Sequence, residues 1–157
     1  MISPKKNILL LHSSNDLYGA SKIFLQLLDL FISKGFNVHV VLPSKGPLDK
    51  IISRTKGIHV SYHSLGVLRK KYLNPLGLFN RLVTNIKAIK FLSNYIKDHS
   101  IDLVYTNTST ILCGGIAAKK NGIPSLFHVH EIPTGNKLYE FFSGKIINKY
   151  SSKVLTV

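Results

Sequence analysis

Two histidines spaced by two, His128 and His130, followed at once by Glu131, are the residues of this chain best suited to chemistry. On an extended run that spacing puts both imidazoles on one face of a strand. With Glu131 they resemble part of a zinc set. A structural zinc, however, needs four ligands and a catalytic one three, and no third group stands at local spacing. His128, deeper in the run, reads as a packed core histidine. His130, at its end, reads as an imidazole that can hydrogen-bond a ligand hydroxyl or phosphate. Two other polar residues close apolar runs in the same way: His12 after Asn7-Ile-Leu-Leu-Leu, and Asn107 after Ile101-Asp-Leu-Val-Tyr-Thr.

A second place for chemistry is the polar turn Ser13-Ser-Asn-Asp-Leu-Tyr18 and the helical pattern that Gly19-Ala-Ser21 opens, with Ile23, Leu27, Leu30 and Phe31 at helix spacing. The first N–H groups of a helix lack internal partners and carry the positive end of its dipole, so they can hold an anion. Gly19 has no Cβ to keep a phosphate away. The same glycine also reads as the plain start of a packed helix. Neither G-x-G-x-x-G nor G-x-x-x-x-G-K-[ST] occurs, and G-x-S-x-G is absent too. Asp16 and Glu131 are the acids that could pair as general acid and base, although Asp16 reads as a turn residue. Cys113, flanked by Leu112 and Gly114, reads as a packed side chain.

The elements that position these residues alternate. Strands are expected at 7–12, 36–42, 57–62, 101–106, 124–130 and 153–157. Helices are expected from Gly19 to a cap at Gly35, from Pro47 to about Arg54, from Pro75 to Asp98, from Ser109 to Lys120 and from Lys137 to Tyr150. In the long helix Phe79, Leu82, Ile86, Ile89 and Ile96 recur along one face. This alternation predicts an α/β fold: a Rossmann-like doubly wound parallel sheet of order 3-2-1-4-5-6, with right-handed crossovers and helices on both faces. Its ligand crevice lies at the carboxyl ends of strands 1 and 4, where the order reverses. His12, Asn107 and His130 all end strands there.

Length and composition bound the alternatives. The 157 residues suit one domain, and 45% hydrophobic with 18% charged residues is globular. One cysteine excludes a disulfide framework and a cysteine zinc cluster, and suits a reducing cytoplasm. No signal peptide is visible, and no apolar run approaches the roughly 18 residues of a membrane span. Lys and Arg number 21 against 7 Asp and Glu, a formal net charge of +14. That balance points to a polyanion: nucleic acid, an anionic membrane surface or a phosphorylated ligand. Eighteen of those cations are lysines scattered over every element, and no nucleic-acid module is recognisable, so charge alone speaks for nucleic acid. The segment Val67-Leu-Arg-Lys-Lys-Tyr-Leu-Asn-Pro-Leu76 interleaves Arg69, Lys70 and Lys71 with Tyr72 and Leu73, which suits contact with an anionic membrane. A solvated basic loop is the plainer reading. The final strand is expected to be buried, and its position at Val157 leads to the expectation that the chain is the front of a longer protein.

Three segments carry a resemblance. They are His12-Ser-Ser-Asn-Asp-Leu-Tyr-Gly-Ala-Ser21, Asp102-Leu-Val-Tyr-Thr-Asn-Thr-Ser109 and Asn121-Gly-Ile-Pro-Ser-Leu-Phe-His-Val-His-Glu-Ile-Pro133. In order and spacing the chain resembles the N-terminal, acceptor-side domain of a family 4 glycosyltransferase of GT-B fold, one half of that architecture. The family commonly shows a Gly-Gly-Ala-Glu-like turn at the first segment, where Tyr18 and Ser21 depart from it. It places a functional histidine six residues after the proline of the third, which is His130 here. The resemblance implies a retaining transfer of a sugar from a nucleotide-sugar to an acceptor hydroxyl, in cell-surface polysaccharide or glycolipid synthesis. The implied setting is the cytoplasm, at the inner face of the membrane. His130 would act at the reaction centre. His12, Gly19, Ala20, Ser21, Asn107 and Glu131 would lie on the substrate and phosphate side. The family's nucleotide-sugar site, with its E-x7-E element, lies in a C-terminal domain outside these residues, to be supplied in cis or in trans. Neither metal nor cofactor is implied; the partners are the nucleotide-sugar and a sugar or lipid-linked acceptor. The alternative is a non-catalytic subunit that docks on a membrane or partner while another chain binds the donor.

Overall fold

The computed structural model describes residues 5–69, 72–130 and 137–156. Along the chain run β1 (Asn7–Leu11), α1 (Gly19–Ser33), β2 (Asn37–Leu42), α2 (Pro47–Ile52), β3 (Ile58–Tyr62), α3 (Pro75–Asp98), β4 (Leu103–Thr106), α4 (Cys113–Lys120), β5 (Ser125–Val129), α5 (Lys137–Tyr150) and β6 (Lys153–Thr156). The strands form one sheet of order β3-β2-β1-β4-β5-β6, with every pairing parallel, as the alternating pattern predicts.

β1 is central because its side chains are apolar on both faces. Ile8 and Leu10 pack with Phe24 and Leu28 of α1 and with Leu48 and Ile52 of α2. Leu9 and Leu11 face the other way, onto Ala88, Leu92 and Ile96 of α3 and Ala117 of α4. Each such fully buried side chain contributes about 1.5–3 kcal/mol. The Gly114-Gly115 pair lets α4 settle against the sheet. A Cβ on Gly114 would lie 2.5 Å from Leu11 Cδ1, and one on Gly115 would lie 2.9 Å from the Tyr150 carbonyl oxygen. Cys113 is buried there with its thiol directed to the Leu65 carbonyl at 3.3 Å. Burial pushes that thiol up to about 12, so it stays protonated and inert.

Three expectations need correction. α4 starts at Cys113 rather than Ser109, because Thr108 Oγ1 takes the Thr110 N–H at 3.1 Å and turns the chain first. On α3 the buried residues are Ala88, Leu92, Tyr95 and Ile96, while Phe79, Leu82 and Ile86 are exposed. β6 is exposed along its length instead of buried; it is the outer strand, paired with β5 alone, and no described element covers it.

A histidine cluster lies beside the α3 end of this core. The His39 ring stacks on His59 at 4.8 Å, lies 5.1 Å from His99, and its Nδ1 meets the Tyr95 hydroxyl at 3.1 Å. Burial first, then the neighbouring His59 and His99, push His39 down from 6.5 to about 4. Its folded value is below its unfolded one. The stability it confers is therefore complete above about 6.5 and is lost as pH falls towards 4. Replacing it by His39→Gln, which keeps a polar partner for Tyr95 but does not titrate, should shrink the drop in Tm between pH 7 and pH 5. An unchanged drop would place the acid sensitivity elsewhere.

Candidate functional site at the carboxyl edge of the sheet

The register of the central strands assembles the site. Leu11 pairs with Thr106 and Thr106 with Phe127. The residues just beyond, His12 and Asn107, therefore emerge side by side, and the Asn107 N–H is bound to the Leu11 carbonyl at 3.0 Å. His12 is only 1% exposed, and its ring stacks on Phe24 of α1 at 4.6 Å. Asn107 is fully buried. His130, half-buried, follows β5.

Side chains link these strand ends into one hydrogen-bonded series with a fixed direction. Asn107 Nδ2 lies 3.3 Å from the Ala20 carbonyl oxygen and 3.3 Å from His12 Nδ1. A carbonyl can only accept, so the amide nitrogen is on that side, and Asn107 Oδ1 faces His130 Nε2 at 2.8 Å. His130 must then carry its proton on Nε2. His12 Nδ1 accepts from Asn107, which puts the His12 proton on Nε2, 3.0 Å from Ser21 Oγ. Ser21 in turn donates to Asp16 Oδ1 at 3.1 Å. Asp16 also accepts the Tyr18 N–H at 3.2 Å. Burial alone would raise this carboxyl; hydrogen bonds from Tyr18, Ser14 and Ser21, and the nearby His12, outweigh that and hold it below its ordinary value. It remains an anion at neutral pH.

One atom of the series is left over. His130 Nδ1 is shielded from solvent and has no hydrogen-bond partner among the described residues. With the proton fixed on Nε2, Nδ1 presents a lone pair, so it is an acceptor for an incoming hydroxyl. His128 lies on the same face, its ring 3.8 Å from that of His130. It is half-buried rather than part of the core, and its Nδ1 takes the Tyr105 hydroxyl at 2.7 Å. Burial pushes that phenol up to about 12, so Tyr105 keeps its proton and donates it. Among the described residues, no three His, Cys, Asp or Glu side chains converge as a metal site.

The turn before α1 forms one wall. Gly19 and Ala20 are exposed, and as first-turn residues their N–H groups have no partner within the helix. Nothing lies within 4 Å of a Cβ built on Gly19, so the fold itself does not require glycine there. Ser21 is 1% exposed and faces inward to His12. The turn is fixed from below by Asn15, whose amide donates to Ser44 Oγ at 2.7 Å and to the Lys45 carbonyl at 2.6 Å. The structure thus brings His12, Ala20, Ser21, Asn107 and His130 together, with Gly19 adjacent. Glu131, Lys70 and Lys71 lie outside the described residues. Arg69 is exposed, and Tyr72 and Leu73 are half-buried where α3 begins, with the Arg81 guanidinium 4.2 Å above the Tyr72 ring. The link through Asp16 and Ser21 was not evident from spacing. Its one visible sign was the Asp-Leu-Tyr sequence, which suits a carboxylate bound to the backbone two residues on.

A family model for Glycosyltransferase Family 4 matches residues 18–156. The chain belongs to glycosyltransferase family 4. No match is found among curated protein sequences. Solved structures agree in fold. MurG of Acinetobacter baumannii superposes with a TM-score of 0.69 at 17% identity, over 97% of this chain and 41% of that one. The Arabidopsis thaliana glycosyltransferase UGT89C1, complexed with UDP, gives 0.66 at 15% identity over 98% and 45%. MnaA of S. aureus, in a co-structure with UDP, gives 0.60 at 20% identity over 96% and 37%. At these identities the likeness is one of fold: the Rossmann-like half of GT-B glycosyltransferases. The chain spans about two-fifths of the length of these structures.

Asn107 closes the series, so its removal strands a donor on His130 and an acceptor on His12 inside the protein. Asn107→Ala should lower stability by about 1–3 kcal/mol in chemical denaturation, with Ser21→Ala costing less. A neutral Asn107→Ala would mean that water replaces the amide without loss.

Proposed function

We propose that this domain forms the acceptor side of a family 4 glycosyltransferase that moves a sugar from a nucleotide-sugar to an acceptor hydroxyl with retention, in cell-surface polysaccharide or glycolipid synthesis at the inner face of the cytoplasmic membrane. The observation that carries the proposal is the unpartnered Nδ1 of His130, oriented through Asn107 at the sheet's switch point. In the reaction the bond from the sugar's anomeric carbon to the diphosphate breaks, a bond to the acceptor oxygen forms, and the proton of the acceptor hydroxyl passes to an oxygen of the leaving diphosphate. The transition state has oxocarbenium character. His130 Nδ1 accepts a hydrogen bond from a hydroxyl of the transferred sugar or of the acceptor and holds it in line. His12 and Asn107 are buried and act through His130. The exposed N–H groups of Gly19 and Ala20 face the growing negative charge of the leaving diphosphate, where one well-placed donor is worth roughly 3 kcal/mol. The UDP held by two of the structural relatives supports a nucleotide-sugar donor. In this proposal most of the donor contacts come from a further domain, in cis or in trans, and no metal or cofactor takes part. Arg69, Lys70, Lys71, Tyr72 and Leu73 would meet an anionic membrane that carries a lipid-linked acceptor. No helix among the described residues is long and apolar enough to cross a membrane.

Two experiments test this reading. In the protein with its donor-binding domain, His130→Ala should lower turnover by about 10²-fold or more with Tm little changed. Full turnover in that variant would exclude His130 from the reaction. The chain of 157 residues alone, given nucleotide-sugars and lipid acceptors, should form no product; robust turnover would contradict the need for a second domain. Gly19→Ala sharpens the assignment of the turn. The methyl group fits in the open space and should leave Tm unchanged or slightly higher. Turnover should fall if a ligand approaches that backbone.

A further inference from the structure

α3 is too long for the sheet it covers. Its 24 residues span about 36 Å, against roughly 13–20 Å for strands of four to six residues. Its carboxyl end is fixed at the amino edge of the sheet, where Asn7 Nδ2 donates to the carbonyls of His99 and Ser100 at 3.2 and 3.0 Å. Its buried residues begin only at Ala88. The earlier turns therefore extend past the carboxyl edge, the side on which His130 and Asn107 lie; their inner side meets the preceding segment, with Asn85 donating to the Gly66 carbonyl at 3.0 Å and Arg81 over the Tyr72 ring, and their outer side is uncovered among the described residues. They are nonetheless apolar: Leu76 is 82% exposed, Phe79 67%, Leu82 58% and Ile86 59%, with Val83 beside them. At helix spacing these residues share one stripe, and the same stripe continues as Lys90, Ser93 and Lys97.

The basic half of the stripe borders a groove of about 570 Å³ between α3 and the end of α4, lined by Ile86, Ile89, Lys90, Ser93, Lys97 and Lys120. Ser93 Oγ is buried there without a hydrogen-bond partner among the described residues. Charge decides what this face can meet. α3 carries Arg81, Lys87, Lys90 and Lys97 and no acid before Asp98 at its end, and Lys120 of α4 stands across the groove. A second copy would bring the same cations against themselves, in a chain already at +14. An anionic bilayer answers both halves of the stripe, with an acyl boundary for the apolar residues and phosphates for the lysines.

We propose that the outer face of α3 is a membrane-docking surface. Leu76, Phe79, Leu82, Val83 and Ile86 enter the acyl boundary of an anionic bilayer, while Lys90, Lys97 and Lys120 sit among its headgroup phosphates, with the Ser93 hydroxyl directed to the same groove. This deepens the membrane side of the proposed function, moving the main contact from the basic loop to the helix that follows it. It does not depend on glycosyl transfer, because the test reads binding and not turnover.

The test uses flotation with vesicles of phosphatidylcholine, with and without one-third phosphatidylglycerol. The chain should bind the anionic vesicles at least tenfold more tightly than the neutral ones, and less tightly as salt rises. Phe79→Ser with Leu82→Ser and Ile86→Ser should cost at least tenfold even at low salt. Lys90→Ser with Lys97→Ser and Lys120→Ser should remove the preference for anionic lipid. All six residues lie on the surface or the groove rim, so Tm should change little in either variant. The chain has no tryptophan, so Phe79→Trp supplies a local probe whose emission should shift to the blue when vesicles are added. The proposal is overturned if the wild-type chain binds neither vesicle, if the apolar triple variant binds as well as the wild type, or if the Trp emission stays that of a water-exposed ring on bound protein. Self-association abolished by the apolar triple variant, without lipid binding, would assign the face to a second copy and overturn it equally.

Discussion

The carboxamide of Asn107 is the constraint on which the site depends. It is fully buried, so its donors and acceptor must find partners within the protein or leave an unpaired polar group in a low dielectric. Its nitrogen is committed to the Ala20 carbonyl and His12, and its oxygen to His130. That commitment joins the end of β4 to the first turn of α1 on one side and to the end of β5 on the other. It also sets the tautomer of both histidines, and so determines that the unused atom of His130 accepts rather than donates. The register of β1 against β4 makes the arrangement possible: a shift of one residue would turn Asn107 to the other face and take its amide away from His12 Nδ1.

The fold could be read from the sequence because its signals are local and mutually consistent. Apolar runs as short as Asn7–Leu11, helix spacing after Gly19, and caps such as Gly35 with φ +82 each point to the same alternating order. The meeting of His12, Asn107 and His130 followed from that order, since all three end strands at the switch point. The link from His12 through Ser21 to Asp16 did not follow. It depends on side-chain direction within the ten residues from His12 to Ser21, where pattern distinguishes a turn aspartate from a network aspartate poorly. The His39, His59 and His99 cluster was invisible for a different reason: its members lie on separate elements, and only the parallel pairing of β2 with β3 sets His39 opposite His59.

α3 shows where periodicity misleads. A stripe such as Phe79, Leu82 and Ile86 ordinarily marks the face turned to a core. Here the stripe lies on the side of the helix away from the core: it continues as the exposed Lys90 and Lys97, while Ala88, Leu92 and Tyr95, about half a turn round, are buried. The lysines that continue the stripe, Lys90 and Lys97, are the sequence sign that it faces outward.

The direction of the hydrogen-bonded series is the central claim, and histidine tautomers report it directly. Long-range proton–nitrogen correlation spectra of the nitrogen-15-labelled chain at pH 7.5 distinguish protonated from unprotonated ring nitrogens. The account predicts that neutral His12 and His130 both carry their proton on Nε2, and that His130 Nδ1 shows the shift of a bare acceptor nitrogen. A His130 protonated on Nδ1 instead would mean that Asn107 is turned the other way, and would contradict the site as described.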